Sequence, residues 1–306
     1  MRRSIRIGTR GSQLALTQSR WVQACLQRQH PQLAVELVTI TTSGDRFAEQ
    51  PLSAIGGKGL FVKEIEEALQ AGGIDCAVHS MKDLPAELAP GLVIAAVPVR
   101  EDPRDVLITR EGLVLEALPR GARVGTSSLR RMALLRAARG DLEVMNLRGN
   151  VDTRVRKLAR GDFDAIVLAS AGLRRLGIEL GEMVFLDPQQ FIPAIGQGAL
   201  AIESRADEAT ELLGPLDDAA TRVAVTAERA FLARAGGSCR TPLAAHATVH
   251  ENTLEMRALI ASPDGHQVVR GECCGPVAAA ATLGTELATE MLGRGGAEIL
   301  RVLGVS

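Results

Sequence analysis

The amino-acid sequence predicts an α/β fold built as two α/β domains followed by a small α+β domain. Three observations carry this. Short apolar runs alternate with helical patterns over the first two-thirds of the chain, two stretches of that region repeat one plan, and the pattern turns to alternating strands after Leu216. The chain's 306 residues exceed one ordinary core, and 46% hydrophobic with 23% charged residues is a globular mixture.

Taken in order, Ile5–Ile7 is an apolar strand, and Ser12 is the N-cap of a helix reaching about Gln29. Val35–Thr41 follows as a strand, Leu60–Gln70 as a helix and Asp75–His79 as a buried strand. The second stretch gives a strand at Arg123–Val124, a helix from about Ser128 to Ala138, and a strand at Glu143–Leu147. A helix over Val151–Ala159 and a strand over Asp164–Ala169 complete it. Ile7-Gly8-Thr9-Arg10-Gly11-Ser12 and Val124-Gly125-Thr126-Ser127-Ser128 open the two stretches alike: strand, Gly-Thr, then a hydroxyl residue at a helix start. Pro98–Pro103 reads as one crossover and Phe191–Gly198 as the return, with Ala199–Glu203 a strand rejoining the first domain. The expected domains are therefore 1–98 with 199–216, 103–193, and 219–306. The third holds a helix at Thr221–Leu232, strands at Ala245–His250, Leu254–Ile260 and Gln267–Gly271, and a last helix over Val277–Leu292. Twin α/β domains facing a cleft are a common way to enclose a small ligand.

Composition narrows the function. One Trp, no Tyr and six Phe leave little for base stacking, and a net charge of −1 gives no overall attraction to polyanions. Five cysteines without CxxC spacing suggest neither a disulfide framework nor a zinc site, and point to a reducing cytosol. Ile5–Gly8 is too short for a signal core, and no apolar run approaches the roughly 18 residues of a membrane span.

Charge is nonetheless concentrated. Between Arg120 and Arg160 stand eleven basic residues, ten of them Arg, against Asp141, Glu143 and Asp152. Arginine in such excess suits bidentate gripping of carboxylate or phosphate. Arg130 and Arg131 fall in the first turn of a helix, where the positive dipole end makes cations misplaced unless an anion is present. Arg148 and Arg154 repeat this at the next strand-to-helix junction. A solvated basic face is the plain alternative; two such pairs in one domain favour an anion site.

The loop His79-Ser80-Met81-Lys82-Asp83-Leu84-Pro85 projects from the carboxyl end of a buried strand, where α/β clefts form. Asp83 is either half of a surface pair with Lys82 or a carboxylate that steers protons and positive charge. His79 alone reads as a core residue. Gly56, Gly57 and Gly59 around Lys58 lack the remaining residues of a phosphate loop, so Lys58 reads as part of a flap. Cys239 in Gly236-Gly237-Ser238-Cys239-Arg240-Thr241-Pro242 is either a reactive thiolate or a buried filler; Cys273 and Cys274 read as structural.

Together these boxes resemble the hydroxymethylbilane synthase (porphobilinogen deaminase) family. The ordered matches are Thr9-Arg10-Gly11-Ser12, Gly56-Gly57-Lys58-Gly59-Leu60-Phe61, Ala77-Val78-His79-Ser80-Met81-Lys82-Asp83 and Glu101-Asp102-Pro103-Arg104-Asp105. They continue through Gly125-Thr126-Ser127-Ser128-Leu129-Arg130-Arg131, Leu147-Arg148-Gly149-Asn150, Ala171-Gly172-Leu173, Gly196-Gln197-Gly198-Ala199, Thr226-Ala227-Glu228-Arg229-Ala230 and the Cys239 turn. Ser238 departs from the two glycines that commonly precede the cysteine.

The resemblance implies two domains like periplasmic binding proteins around a cleft, plus the small α+β domain. It implies a dipyrromethane cofactor joined by a thioether to Cys239, onto which four porphobilinogens condense with loss of ammonia before 1-hydroxymethylbilane is hydrolysed off. Asp83 would be the catalytic carboxylate. Arg10, Ser12, Ser80, Lys82, Thr126, Ser127, Ser128, Arg130, Arg131, Arg148, Arg154 and Arg175 would bind the acetate and propionate groups. The family further implies a cytoplasmic monomer working in tetrapyrrole biosynthesis, with neither nucleic acid nor membrane as partner. Two rival readings remain: a small-anion binding protein explains the arginines but not Cys239, and a nucleic-acid binder explains only the basic belt.

Overall fold

A computed structural model describes residues 4–46, 62–179, 183–206, 212–237 and 241–304. The chain divides into two compact units, Met1–Glu101 with Ala199–Arg222, and Asp102–Gly198 with Val223–Ser306.

The first unit runs β1 (Ser4–Thr9), α1 (Gln13–Gln29), β2 (Ala34–Thr39), a single turn α2 (Ser43–Arg46), α3 (Lys63–Gln70), β3 (Cys76–Ser80) and β4 (Leu92–Ala96), and receives β10 (Leu200–Arg205) late in the chain. The sheet order is β2-β1-β3-β10-β4, with β1 parallel to both neighbours and β10 antiparallel to β3 and β4. Helices cover both faces, so β3 buries Cys76 and Val78 on one and Ala77 on the other. Ile5, Ile7, Val78 and Ile202 cluster with Val22 and Leu26 of α1. Ala77 and Leu92 cluster with Ile65 and Leu69 of α3.

In the second unit come β5 (Asp105–Thr109), β6 (Arg123–Gly125), α4 (Leu129–Ala138), β7 (Glu143–Met145), α5 (Val151–Ala159), β8 (Ala165–Ala169), α6 (Ser170–Arg175) and β9 (Met183–Phe185). The order β7-β6-β8-β5-β9 has the same pattern, with β5 taking the antiparallel place of β10. After α7 (Ala219–Ala235) follow an antiparallel sheet of β11 (Leu243–His250), β12 (Thr253–Ala261) and β13 (Val268–Pro276), then α8 (Ala280–Met291) and α9 (Ala297–Val302). Helix α8 covers one face of this sheet. Ala244, Leu259 and Ala261 share a hydrophobic cluster with Leu107, Val124 and Leu134 of the second unit. No helix among the described residues is long and apolar enough to cross a membrane.

The repeat expected from sequence extends to atomic detail. Asp75 Oδ2 accepts from the Arg6 amide at 2.7 Å, its Oδ1 from Arg6 Nη2 at 3.1 Å, and Gly72 O from the same Nη2 at 2.8 Å. In the second unit Asp164 Oδ2 accepts from the Arg123 amide at 2.8 Å, Oδ1 from Nη2 at 3.1 Å, and Gly161 O from Nη2 at 2.9 Å. Gly72 and Gly161 hold φ of +70° and +82°, the left-handed stop after α3 and α5 that glycine adopts without a Cβ clash. One arginine clasp thus ties β1 to the turn entering β3, and its counterpart ties β6 to the turn entering β8.

Where the structure differs from expectation, the differences fall in the sheets. The sequence pattern does not announce β4, β5, β9 or α6; the strands are short and lie beside prolines or charges. Helix 60–70 is seen from Lys63, residues 60 and 61 lying outside the described set. Strand β13 runs on to Pro276, past the expected end at Gly271, so Cys273 and Cys274 sit within it.

Candidate active site

Two groups of side chains carry chemistry, one in each unit. In the first unit β1 and β3 end side by side. Ser12 caps α1, its hydroxyl accepting from the Ala15 amide at 3.3 Å. Buried Gln18, one turn on, donates from Nε2 to Ser80 Oγ at 3.1 Å, so the end of β3 is tied to α1. After Ser80 the chain makes a 3-10 turn over Met81–Asp83, anchored where the Met81 amide donates to Ala199 O at 3.0 Å. Met81 is buried while Lys82 and Asp83 remain half-exposed. The result is a pocket lined by Arg10, Ser12, Gln18, His79, Ser80 and Asp83. Five of those six lie in sequence boxes read above; Gln18 does not, since a glutamine inside a helix carries no local signal.

In the second unit the helix start holding Arg130 and Arg131 contains the anion that the sequence reading demands, and it is internal. Asp105, the first residue of β5, is fully buried and takes Arg130 Nη1 at 2.7 Å and Arg131 Nη2 at 2.8 Å. Gln197 Nε2 donates to the same carboxylate at 2.8 Å and to Pro103 O at 2.6 Å. Burial pushes the Asp105 carboxyl up, but the two guanidiniums outweigh it and hold it well below the usual range. Burial lowers Arg130. Arg130 is 3% exposed and also donates to Ile192 O at 2.8 Å. Asp105 and Gln197 had signals in the Glu101–Asp105 and Gly196–Gly198 boxes, but nothing local linked residues 25 and 92 positions apart.

One carboxylate against two guanidiniums leaves net positive charge here. Arg148 and Arg154 add to it from the junction of β7 and α5. Arg154 Nε donates to Gly149 O at 2.8 Å, and Arg154 pairs with no carboxylate among the described residues. Burial first, then repulsion from Arg131 and Arg148, lowers Arg154 to about 10. Three guanidiniums that feel one another's charge are a site for an anion of more than one carboxylate. Beside them Ser128 caps α4, accepting from the Arg131 amide at 3.4 Å, and buried Thr126 accepts from the Ser128 amide at 3.3 Å. Ser127 is half-exposed in the same turn. Arg175, at the end of α6, donates to Gly198 O at 2.6 Å. Cys239 and Lys58 lie outside the described residues.

Family comparison decides what these groups belong to. Residues 5–212 match the model described as porphobilinogen deaminase, dipyromethane cofactor binding domain, and residues 222–293 match the porphobilinogen deaminase C-terminal domain. The chain belongs to the porphobilinogen deaminase family. Curated members include the porphobilinogen deaminase of Syntrophotalea carbinolica, 54% identical with 99% of this chain and 97% of the relative covered. That of Roseiflexus castenholzii is 53% identical over 98% and 99%, and that of Brevibacillus brevis 50% over 96% of each. Among solved structures the chain is similar to the methionine binding protein MetQ (14% identity, 70% of this chain and 89% of that one, TM-score 0.44). It is also similar to the sulphonate binding protein SsuA of Escherichia coli (16%, 76% and 70%, TM-score 0.41); likeness at that level carries no functional argument.

The family's dipyrromethane brings several carboxylates, and the cationic cluster of the second unit fits such a group. Arg154, which has no carboxylate partner among the described residues and stands near enough to Arg131 and Arg148 to feel their charge, is the observation on which that fit rests.

Proposed function

We infer that this chain is a hydroxymethylbilane synthase, condensing four porphobilinogens in turn onto a dipyrromethane with loss of ammonia, then releasing 1-hydroxymethylbilane by hydrolysis. Family membership over nearly the whole chain carries the reading. The dipyrromethane, when bound, supplies the pyrrole end from which the product grows. Cys239 is proposed as its point of attachment, and Arg131, Arg148, Arg154, Thr126, Ser127 and Ser128 as its carboxylate partners. Arg130 contributes through Asp105, whose single charge leaves the three-residue group cationic.

In the first unit Arg10, Ser12, Ser80 and Lys82 are proposed to receive the acetate and propionate groups of porphobilinogen. Arg175 is assigned to the same carboxylate-binding set, and Lys58 to a flap. As ammonia leaves, the porphobilinogen methylene carbon becomes electron-deficient. The Asp83 carboxylate, fixed on its turn by Met81 and β10, stabilises that positive charge and holds the proton released when the carbon–carbon bond forms. Anchoring one partner makes each addition effectively intramolecular.

We further propose a cytoplasmic monomer. None of the four described cysteines is in a disulfide, which supports a reducing compartment.

Incubating purified protein with porphobilinogen tests the function. The expected result is ammonia and 1-hydroxymethylbilane, with an intact mass above the sequence by one dipyrromethane and no such increment in Cys239→Ala. A chain of unmodified mass that leaves porphobilinogen intact overturns the reading; size-exclusion chromatography tests the monomer.

A further inference from the structure

We propose that the buried pair His79–Glu203 is a positioning device of the Asp83 pocket, and that the fold itself does not require it. This rests on the function proposed above. His79 Nε2 lies 3.0 Å from Glu203 Oε2, the side chains being 4% and 0% exposed. The two atoms lie close without an aligned hydrogen bond, and Glu203 Oε1 has no hydrogen-bond partner among the described residues. A fully buried carboxylate held by one imidazole is a costly thing to place in a sheet.

The second unit has the same sheet without the pair. The arginine clasp makes Asp75 and Asp164 equivalent, so His79 corresponds to Leu168, four residues along. Glu203 lies opposite Ala77, two residues after Asp75; Ile108 lies opposite Ile166, two residues after Asp164. Leu168 and Ile108 are buried in one apolar cluster. The strand order and register therefore stand with hydrocarbon at both positions. The charged version occurs in the unit that carries Asp83, where His79 itself lines the pocket with Arg10, Ser80 and Asp83.

Placement suggests how it acts. His79 directly precedes Ser80 and the turn bearing Asp83, and β10, which carries Glu203, begins beside the carbonyl of Ala199 that anchors that turn. Glu203 thus restrains the imidazole from the same strand that sets the loop. Among the described residues, the charged and titratable groups around the pair are Glu66 from α3 and, through the pocket, Arg10 and Asp83; α1 offers the neutral Gln18. Glu66 is raised first by burial, against the Ala89 amide that it accepts from, then raised further by the Glu203 charge and lowered by His79.

The test copies the second unit into the first. Full-length holoenzyme carrying His79→Leu with Glu203→Ile is compared with wild type and with Glu203→Gln, reading thermal unfolding, intact mass, kcat, KM and the pH profile of kcat. The double variant is expected to unfold at or above the wild-type temperature and to keep the covalent increment. Its kcat should fall about tenfold to a hundredfold at little-changed KM, the effect of displacing a catalytic group by about 1 Å. Its pH profile of kcat should differ from that of wild type. Wild-type kcat and profile in a folded double variant overturn the proposal. If the double variant does not fold, Glu203→Gln decides: an unchanged kcat and profile overturn it, and a lowered kcat with an altered profile supports it. Wild type that consumes no porphobilinogen sinks the function instead, a result independent of the variants.

Discussion

Asp83, which lines a pocket together with Arg10, and Asp105, paired with two arginines, are both carboxylates, yet their surroundings set them apart. Asp83 is half-exposed on a short turn whose backbone is held by Met81 and Leu84, so its side chain does little for the fold. Asp83→Ala is expected to unfold within about 0.5 kcal/mol of wild type, as surface changes usually do, while formation of hydroxymethylbilane is lost; near-normal turnover would remove Asp83 from the mechanism. Asp105 is fully buried between Arg130 and Arg131, and replacing it strands two guanidiniums. Asp105→Asn is expected to cost about 3–5 kcal/mol in urea unfolding. The pH sign follows from direction: its folded-state carboxyl is depressed, so its contribution is complete above the unfolded value of about 3.9 and fades as pH falls below that. Urea midpoints between pH 3 and 7 should therefore drop on acidification in wild type and drop less in Asp105→Asn.

At the scale of elements, the two arginine clasps share geometry but not burial. Asp75 is 3% exposed and Asp164 33%. Removing Asp75 takes the acceptor of the Arg6 amide from a buried position and a carboxylate from Arg205 as well, whereas water reaches Asp164 in the second clasp. Asp75→Ala should cost about 2–3 kcal/mol and Asp164→Ala about 1 kcal/mol or less by chemical denaturation; equal losses would mean that burial does not set the difference. These clasps also mark how far sequence reaches. Both domain openings were legible because Gly-Thr followed by a capping serine is a local signal, and Ser12 and Ser128 do cap α1 and α4. The run His79–Asp83 was legible because a strand end followed by Pro85 is local too. The return of Ala199–Glu203 to the first domain was legible too, but not its place in the sheet: β5 and β10 insert antiparallel between strands far away in sequence, so the partners Asp105–Arg131 and His79–Glu203 meet only after the sheets form. The arginine belt called for an anion, and sequence alone had no means to find that part of it lay inside, on Asp105.

For the molecule as a whole, a net charge near zero conceals a cationic cluster that is unfavourable without its ligand. Arg154 is depressed to about 10, so at neutral pH it is charged in a fold that resists the charge, and the cluster costs stability until carboxylates neutralise it. Function and stability then pull in opposite directions at one residue. In a Cys239→Ala background, expected to carry no dipyrromethane, Arg154→Leu should raise stability by about 0.5–2 kcal/mol, the range such relief commonly yields. In the loaded chain the same substitution removes a partner of the bound carboxylates and should lower it, because any group bound by the folded state alone stabilises that state. The four melting temperatures form a cycle whose sign reversal is the prediction. Were Arg154→Leu to shift both backgrounds alike, the cluster would be a solvated basic face rather than the seat of a polycarboxylate.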